Sequence, residues 1–265
     1  MKRLMKDIKL VGLFMKNAVL IDMEYRAHFL VNTLLSIFWL CFSILTLKLF
    51  FYHRTSLGGW AYEESLLVLG LFSFFGSFIE GVLEPNVAKL VEDIRFGNFD
   101  FILLKPVNVQ LIGTLRSFSM KKLPAMFGSV IICVYALYQL HYMPSIPDIA
   151  LFLMFFTSGF LILYGLWVAL IATAFWFIQI DSIMEFVFAV FETGRFPITV
   201  YPTPLRLVLT YIVPIAFITT FPAAAIIGKV TFHHACMALG LAGIILFVGS
   251  CFWKYALTRY SSASS

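Results

Sequence analysis

The sequence predicts an all-α, polytopic membrane protein with six transmembrane helices, and three observations carry that reading. Hydrophobic residues fill 61% of the 265 positions, and mean hydropathy is +0.94. Charged residues supply only 12%, against a usual share of about 25%. Uncharged runs recur at close to the ~20 residues a helix needs to cross a hydrocarbon core of about 30 Å. A water-soluble domain of this length could not hide 30 phenylalanines, because too much of its surface would stay apolar. The chain, 1–265, reads as a single transmembrane domain.

The first element, residues 1–26, is amphipathic. Leu4, Ile8, Val11, Met15 and Val19 form one stripe, and Lys2, Lys6, Lys9 and Lys16 lie on another face. This suits a helix lying in the membrane interface with its cations near anionic head groups; the simpler alternative is a solvated lead-in. The first span is Phe29 to Leu47, 19 residues without a formal charge. It lies too far into the chain, and runs too long, for a cleavable signal peptide. A polar loop with His53, Arg54, Gly58, Gly59, Trp60, Glu63 and Glu64 leads to the second span, Leu66 to Leu83, which carries Glu80 near its end.

Residues 84–106 form the longest polar interruption. Val87, Leu90, Val91 and Ile94 fall at i, i+3, i+4, i+7, one apolar stripe on a short helix. Asn86 is a suitable N-cap, while Arg95 and Gly97 supply a basic last turn and a stop. A short amphipathic helix between two spans has something to dock against. Lys105, Arg116, Lys121 and Lys122 then precede the third span, Leu123 to Leu140, and a short turn from His141 to Asp148 follows it.

Ile149 to Ile180 has no charged residue over 32 positions, about 48 Å as one helix, too long for one crossing. It divides into a fourth span, Ile149 to Ala172, and the start of a fifth, Phe177 to Glu192. The sixth is Thr231 to Trp253. Between the fifth and sixth lies 195–229, with Pro197, Pro202, Pro204, Pro214 and Pro222, half of the 10 prolines. Pro214 cuts its apolar run into two pieces, each too short to span, so the pair should dip into the membrane and return. Irregular backbone survives at that depth only where protein or a cavity covers it, which suits a gate.

Lysine and arginine set the orientation. Six lie before the first span and six between the second and third, with Lys254 and Arg259 after the sixth. The other side has only Lys48, Arg54, Arg195, Arg206 and Lys229. Both termini and the 84–106 stretch are therefore expected in the cytoplasm.

Motifs for chemistry are missing. There is no G-x-x-x-x-G-K-[ST] phosphate loop, HExxH, CxxC pair or nucleophile elbow. Cys41, Cys133, Cys236 and Cys251 sit in apolar segments as packing residues. His233 and His234 are adjacent, so their rings leave different faces of a helix and do not suggest a metal site.

Acids inside membrane segments are candidates for substrate contact, since unpaired on a lipid face they cost several kcal/mol. Asp181, Glu185 and Glu192 share one face of the fifth helix, and Glu80 and Glu84 form an i, i+4 pair on the second. The functional reading is an acidic vestibule for a cationic amphiphile. The plainer one seats Asp181 and Glu84 at the interface and pairs Glu185 with a base. Phe72, Phe74, Phe75, Phe78, Phe186, Phe188 and Phe191 have helical spacing suited to packing, although a few, Phe188 among them, could offer cation–π contact.

The layout resembles ABC-2 type exporter permeases. The nearest subgroup consists of small permeases, several described as viologen or multidrug exporters, in which an Ile-Arg-x-Gly-x-x-Asp-Phe-x-Leu-x-x-Pro run follows span two. Here that run is Ile94-Arg95-Phe96-Gly97-Asn98-Phe99-Asp100-Phe101-Ile102-Leu103-Leu104-Lys105-Pro106. The outer signature is similar at Phe196-Pro197-Ile198-Thr199-Val200-Tyr201-Pro202, Val213-Pro214 and Phe221-Pro222-Ala223.

The resemblance implies a type V ABC exporter-like fold and a transport subunit, not itself an enzyme, in a bacterial inner membrane. It exports an amphiphile by alternating access. Two copies of a separate ATPase bind the ATP and Mg; a second permease, identical or a related six-span chain, completes a dimer. Membrane lipids surround it, and no nucleic acid is involved. Val87, Leu90, Val91, Glu92, Ile94, Arg95, Gly97 and Asp100 would couple to the ATPase. Pro197, Tyr201, Pro202, Pro214 and Pro222 would form an outer gate. A secondary transporter or a membrane-embedded lipid-modifying enzyme are the alternatives, but the chain has neither an internal repeat nor an evident catalytic set.

Overall fold

The computed structural model describes residues 2–24, 26–177 and 181–260. Among them the regular structure is helical, apart from one bridge between Leu57 and Trp60. In order the helices are α1 Lys2–Glu24, α2 Arg26–Phe50, α3 Tyr62–Phe78, α4 Glu84–Arg95, α5 Phe99–Leu103, α6 Val109–Thr114, α7 Leu123–Gln139, α8 Ile146–Ala172, α9 Asp181–Glu192, α10 Thr203–Leu207, α11 Thr220–Ile226 and α12 Phe232–Arg259. Among the described residues five helices are long and apolar enough to cross a membrane. A sixth candidate is the pair Thr203–Ile212 and Ile215–Ile226, bent by 70° at Pro214.

The centre of the bundle is α3 and α8, one face of which meets α12. Small residues set that contact: Ala235, Ala238, Ala242, Gly249 and Ala256 are buried along α12 at helical spacing. A Cβ on Gly249 would lie 2.4 Å from the Gly165 carbonyl oxygen, and one on Gly165 would lie 2.9 Å from the Leu246 Cα. The backbones of α8 and α12 therefore touch. Helices surrounded by lipid lack a hydrophobic drive to associate, so close backbone packing supplies the attraction. In contrast α2 is largely bare, with Leu34 66% and Trp39 60% exposed.

Two sequence expectations change. The second span and the helix after it are one element. From Tyr62 to Arg95 the chain stays helical for 34 residues, about 51 Å at 1.5 Å per residue, through a π turn at Ile79–Leu83. That exceeds a core of about 30 Å, so one end must stand clear of it. The fifth span also starts differently: Phe177 is not helical, and among the described residues α9 covers Asp181–Glu192, 12 residues. Phe175 meets Phe99 and Tyr260 at the lysine- and arginine-rich end, while Thr199 donates to the Gly58 carbonyl at the other. Of the chain between them, the described residues form α9 and 3-10 turns.

Replacing Gly249 by alanine should force α8 and α12 apart and destabilise the protein by about 1–3 kcal/mol. Gly243, with nothing within 4 Å of a built Cβ, should accept alanine with no loss. Melting temperatures in detergent will separate the two variants.

Candidate functional site

Proline 85 dictates the geometry of the basic end. It has no N–H, so the Gly81 carbonyl one turn earlier loses its helical donor. The Ser119 amide fills the vacancy at 2.7 Å. Gly81 permits the approach, since a Cβ there would lie 3.3 Å from the Ser119 oxygen and 3.2 Å from the Lys122 Cβ. Asn86, fully buried, completes the clamp: its Oδ1 accepts the Arg116 and Ser117 amides at 2.8 and 2.9 Å, and its Nδ2 donates to the Val82 and Ser117 carbonyls. Asn86 is therefore no N-cap; its side chain replaces a turn's worth of backbone bonds between two segments.

An ion pair joins the half-buried Arg116 to the buried Asp93 on α4, and the Arg116 guanidinium also donates to the Lys89 carbonyl at 3.3 Å. Burial pushes the pKa of Arg116 down and Glu92 pulls it up; the group stays charged at any physiological pH. The Trp167 indole of α8 donates to the Leu83 carbonyl at 2.9 Å. The 84–95 helix is thus bound to both α8 and the 116–119 turn.

These contacts use the stripe that periodicity assigned to docking. Val87 and Leu90 are buried, and Val91 and Ile94 are half-buried against the same core. The apolar groups that face outward are others. Phe96 is 68%, Phe101 65% and Leu104 81% exposed. Gly97, at φ +71°, turns the chain where side chains are disfavoured, so α5 doubles back beside α4. Along it Phe99 and Ile102 face inward, with Phe99 edge-on to Phe175 and Tyr260. Phe101 and Leu104 point away. Glu92 and Arg95 are exposed beside them, with Glu92 paired to Lys89 at 2.7 Å. Asp100 is half-buried. The exposed i, i+3 pair 101 and 104, outside any span and bordered by charges, was the available signal.

A cleft of about 420 Å³ lies between α2, α3 and α9. Glu80, Glu192 and Phe188 line it, together with Phe72, Phe191 and four serines (Ser36, Ser43, Ser73 and Ser77). Both acids that line it have basic partners. Lys122 pairs with Glu80, and Arg195 with Glu192 at 2.7 Å. Arg195 also sits 5.4 Å over the Phe72 ring, which stacks on Phe191. Glu185 is exposed on α9 and lines neither this cleft nor any other described cavity. Among the described residues it has no ion-pair partner. Glu84 is half-buried outside the cleft, and the side chain of Asp181 lies outside the described residues.

At the other end the prolines hold a compact segment. The Tyr201 hydroxyl donates to the Thr193 carbonyl at 2.8 Å, and Arg206 donates to the Thr199 and Tyr201 carbonyls. Pro197 and Pro202 flank these turns. Pro214 marks the 70° bend, and Pro222 is buried in α11. Beyond the bend Ile215 presses on Gly194, whose built Cβ would lie 2.7 Å away, and Phe217 stacks on Phe155 and Phe221. Lys229 then pairs with Glu64 at 2.7 Å and lies over Trp60. Residues 199 and 229 are thus tied to the same loop region, 58–64.

A family model described as ABC-2 family transporter protein matches residues 37–264. No curated protein and no solved structure matches the chain.

Asn86→Ala should leave two buried amides without an acceptor, at about 1–3 kcal/mol each. Asn86→Ser separates clamp from cap, because serine is a good N-cap but cannot span both segments. Serine should therefore destabilise as much as alanine, read by thermal melting and by proteolysis within 105–122. Asp93→Ala, which leaves the half-buried Arg116 guanidinium without its carboxylate, should cost about 1–3 kcal/mol.

Proposed function

The chain belongs to the ABC-2 transporter family, and from that premise we propose that it is the permease subunit of an ATP-driven exporter. It is the membrane component of an ABC transporter; a separate ATPase supplies the energy. In this reading two ATPase subunits dock at the basic, cytoplasmic end. A second permease, identical or related, completes the transport unit in a bacterial inner membrane.

The observation that carries the reading is the continuous helix Tyr62–Arg95. One end lines the cleft through Phe72, Gly76 and Glu80, and the other leads directly into the exposed face of Phe96, Phe101 and Leu104. Aromatic and aliphatic groups exposed beside a rim of charge make a compact anchor for a protein partner. A push delivered there reaches the cleft without a flexible joint, because Asn86, Ser119 and Trp167 brace the π turn between them. A secondary transporter or a lipid-modifying enzyme gives no reason for such a lever.

The cleft supports an amphiphile as cargo. Its tail would lie on Phe72, Phe188 and Phe191, and its charged head would compete for the Glu80–Lys122 and Glu192–Arg195 pairs. A cationic head takes the carboxylates only by displacing the resident cations, so movement of Lys122 relative to Glu80 becomes the switch between holding and releasing. The bent pair at Pro214 would dip between α8 and α9 and return to the outer face, closing the exit until α9 shifts.

Phe101→Asp combined with Leu104→Asp should leave insertion and melting unchanged, since both side chains are exposed. It should weaken ATPase association by at least about 2 kcal/mol, roughly thirtyfold. Co-purification in detergent reads this directly; wild-type stoichiometry in the double variant would exclude the docking face. Glu192→Gln should alter export while leaving ATPase association intact.

A further inference from the structure

A second cavity, sharing no lining residue with the cleft, opens where α1, α2 and the start of α7 meet. It is a groove of about 440 Å³ walled by Val19, Phe29, Leu30, Met120 and Leu123, with Asp22 and Arg26 the charged groups that line it among the described residues. Asp22 is already engaged: it accepts the Met120 amide at 2.8 Å and pairs with Lys121 at 3.6 Å. Arg26 is exposed and, among the described residues, has neither a hydrogen bond nor an ion pair. The groove therefore joins an apolar trough to one uncommitted cation, and with Lys121 opposing Asp22 its rim is net positive.

We propose that this groove holds an anionic phospholipid, one acyl chain along the trough and the phosphate on Arg26. Water has too few partners in a trough of this kind, and a zwitterionic head would set its ammonium against Arg26. An anionic lipid meets both the apolar wall and the charge. Val19, Asp22, Arg26, Phe29 and Leu30 all precede residue 37, so this wall is not among the residues matched to the family.

The position gives the lipid a consequence. The single 3-10 turn Met120–Lys122 points Met120 into the groove, pairs Lys121 with Asp22 and pairs Lys122 with Glu80 of the cleft. The residue before it, Ser119, fills the Gly81 carbonyl. A bound chain braces that turn from outside and stays in place through turnover; it is a resident lipid, not cargo. Its binding is measured on the permease alone, so failure here leaves the exporter reading untouched, and the reverse also holds.

The test is titration of the delipidated, full-length chain in detergent with phosphatidylglycerol or phosphatidylcholine of identical acyl chains, read by native mass spectrometry. Phosphatidylglycerol should bind saturably and at least fivefold tighter. Arg26→Gln should weaken it about fivefold, the equivalent of about 1 kcal/mol for one cation near the surface, and leave phosphatidylcholine unchanged. Leu123→Trp, filling the trough, should lower binding of both at least tenfold; if it does not fold, Arg26→Gln decides alone. Lys9→Gln, an exposed cation on α1 away from the groove, should have no effect. Equal binding of the two lipids, wild-type binding by Arg26→Gln, or an equal loss in Lys9→Gln would each overturn the proposal, the last by reducing it to diffuse attraction.

Discussion

A proline nitrogen carries no hydrogen, and the missing donor at Pro85 organises the basic end of this protein. A helix that crosses a membrane normally closes every backbone bond within itself, because hydrocarbon offers no partner. Here the Gly81 carbonyl is left over and takes the Ser119 amide instead. That bond brings the 116–122 segment against the helix, where the buried Asn86 amide and the Asp93–Arg116 pair hold it. Each is costly to leave half-satisfied at low dielectric. The helix end and the turn beside it therefore form one rigid unit.

Rigidity there links features that lie far apart in the chain. The same turn that satisfies Gly81 ends in Lys122, which reaches Glu80 in the cleft, and Lys121, which reaches Asp22 on α1. α1, the cleft and the end of the long helix thus meet at the 116–122 segment. At the opposite end the organisation differs. Prolines suppress regular helix, and the ties are side chain to backbone, as in Tyr201 to Thr193 and Arg206 to Thr199. Segments held in this way shift more readily than a continuous helix, since few backbone bonds must break together. A stiff end and a looser end fit the division of labour that the proposed alternating access would need.

Periodicity found the stripe Val87, Leu90, Val91 and Ile94 but could not say what covers it. An apolar face records only that something apolar lies against it, and in this fold the something is internal: α6, Trp253 and the core beneath α4. Phe96, Phe101 and Leu104 remained outside because they break period across the turn at Gly97. The acids behaved similarly. Their positions on a helix face were readable, yet the cations that neutralise Glu80 and Glu192 come from Lys122, 42 positions away, and from Arg195, one turn on.

The sequence by itself determined the membrane class, the all-helical architecture, the polar break after the second span and the bend at Pro214, because each depends on composition or on local backbone chemistry. Hydropathy and the absence of a proline N–H act wherever the chain is placed. Only the tertiary structure decided that the second span runs unbroken to Arg95 and that Asn86 clamps rather than caps. Those outcomes rest on contacts between residues separated by 30 or more positions, such as Asn86 with Arg116 and Ser117 and Trp167 with Leu83. No local pattern specifies which distant carbonyl or amide will arrive to complete a bond.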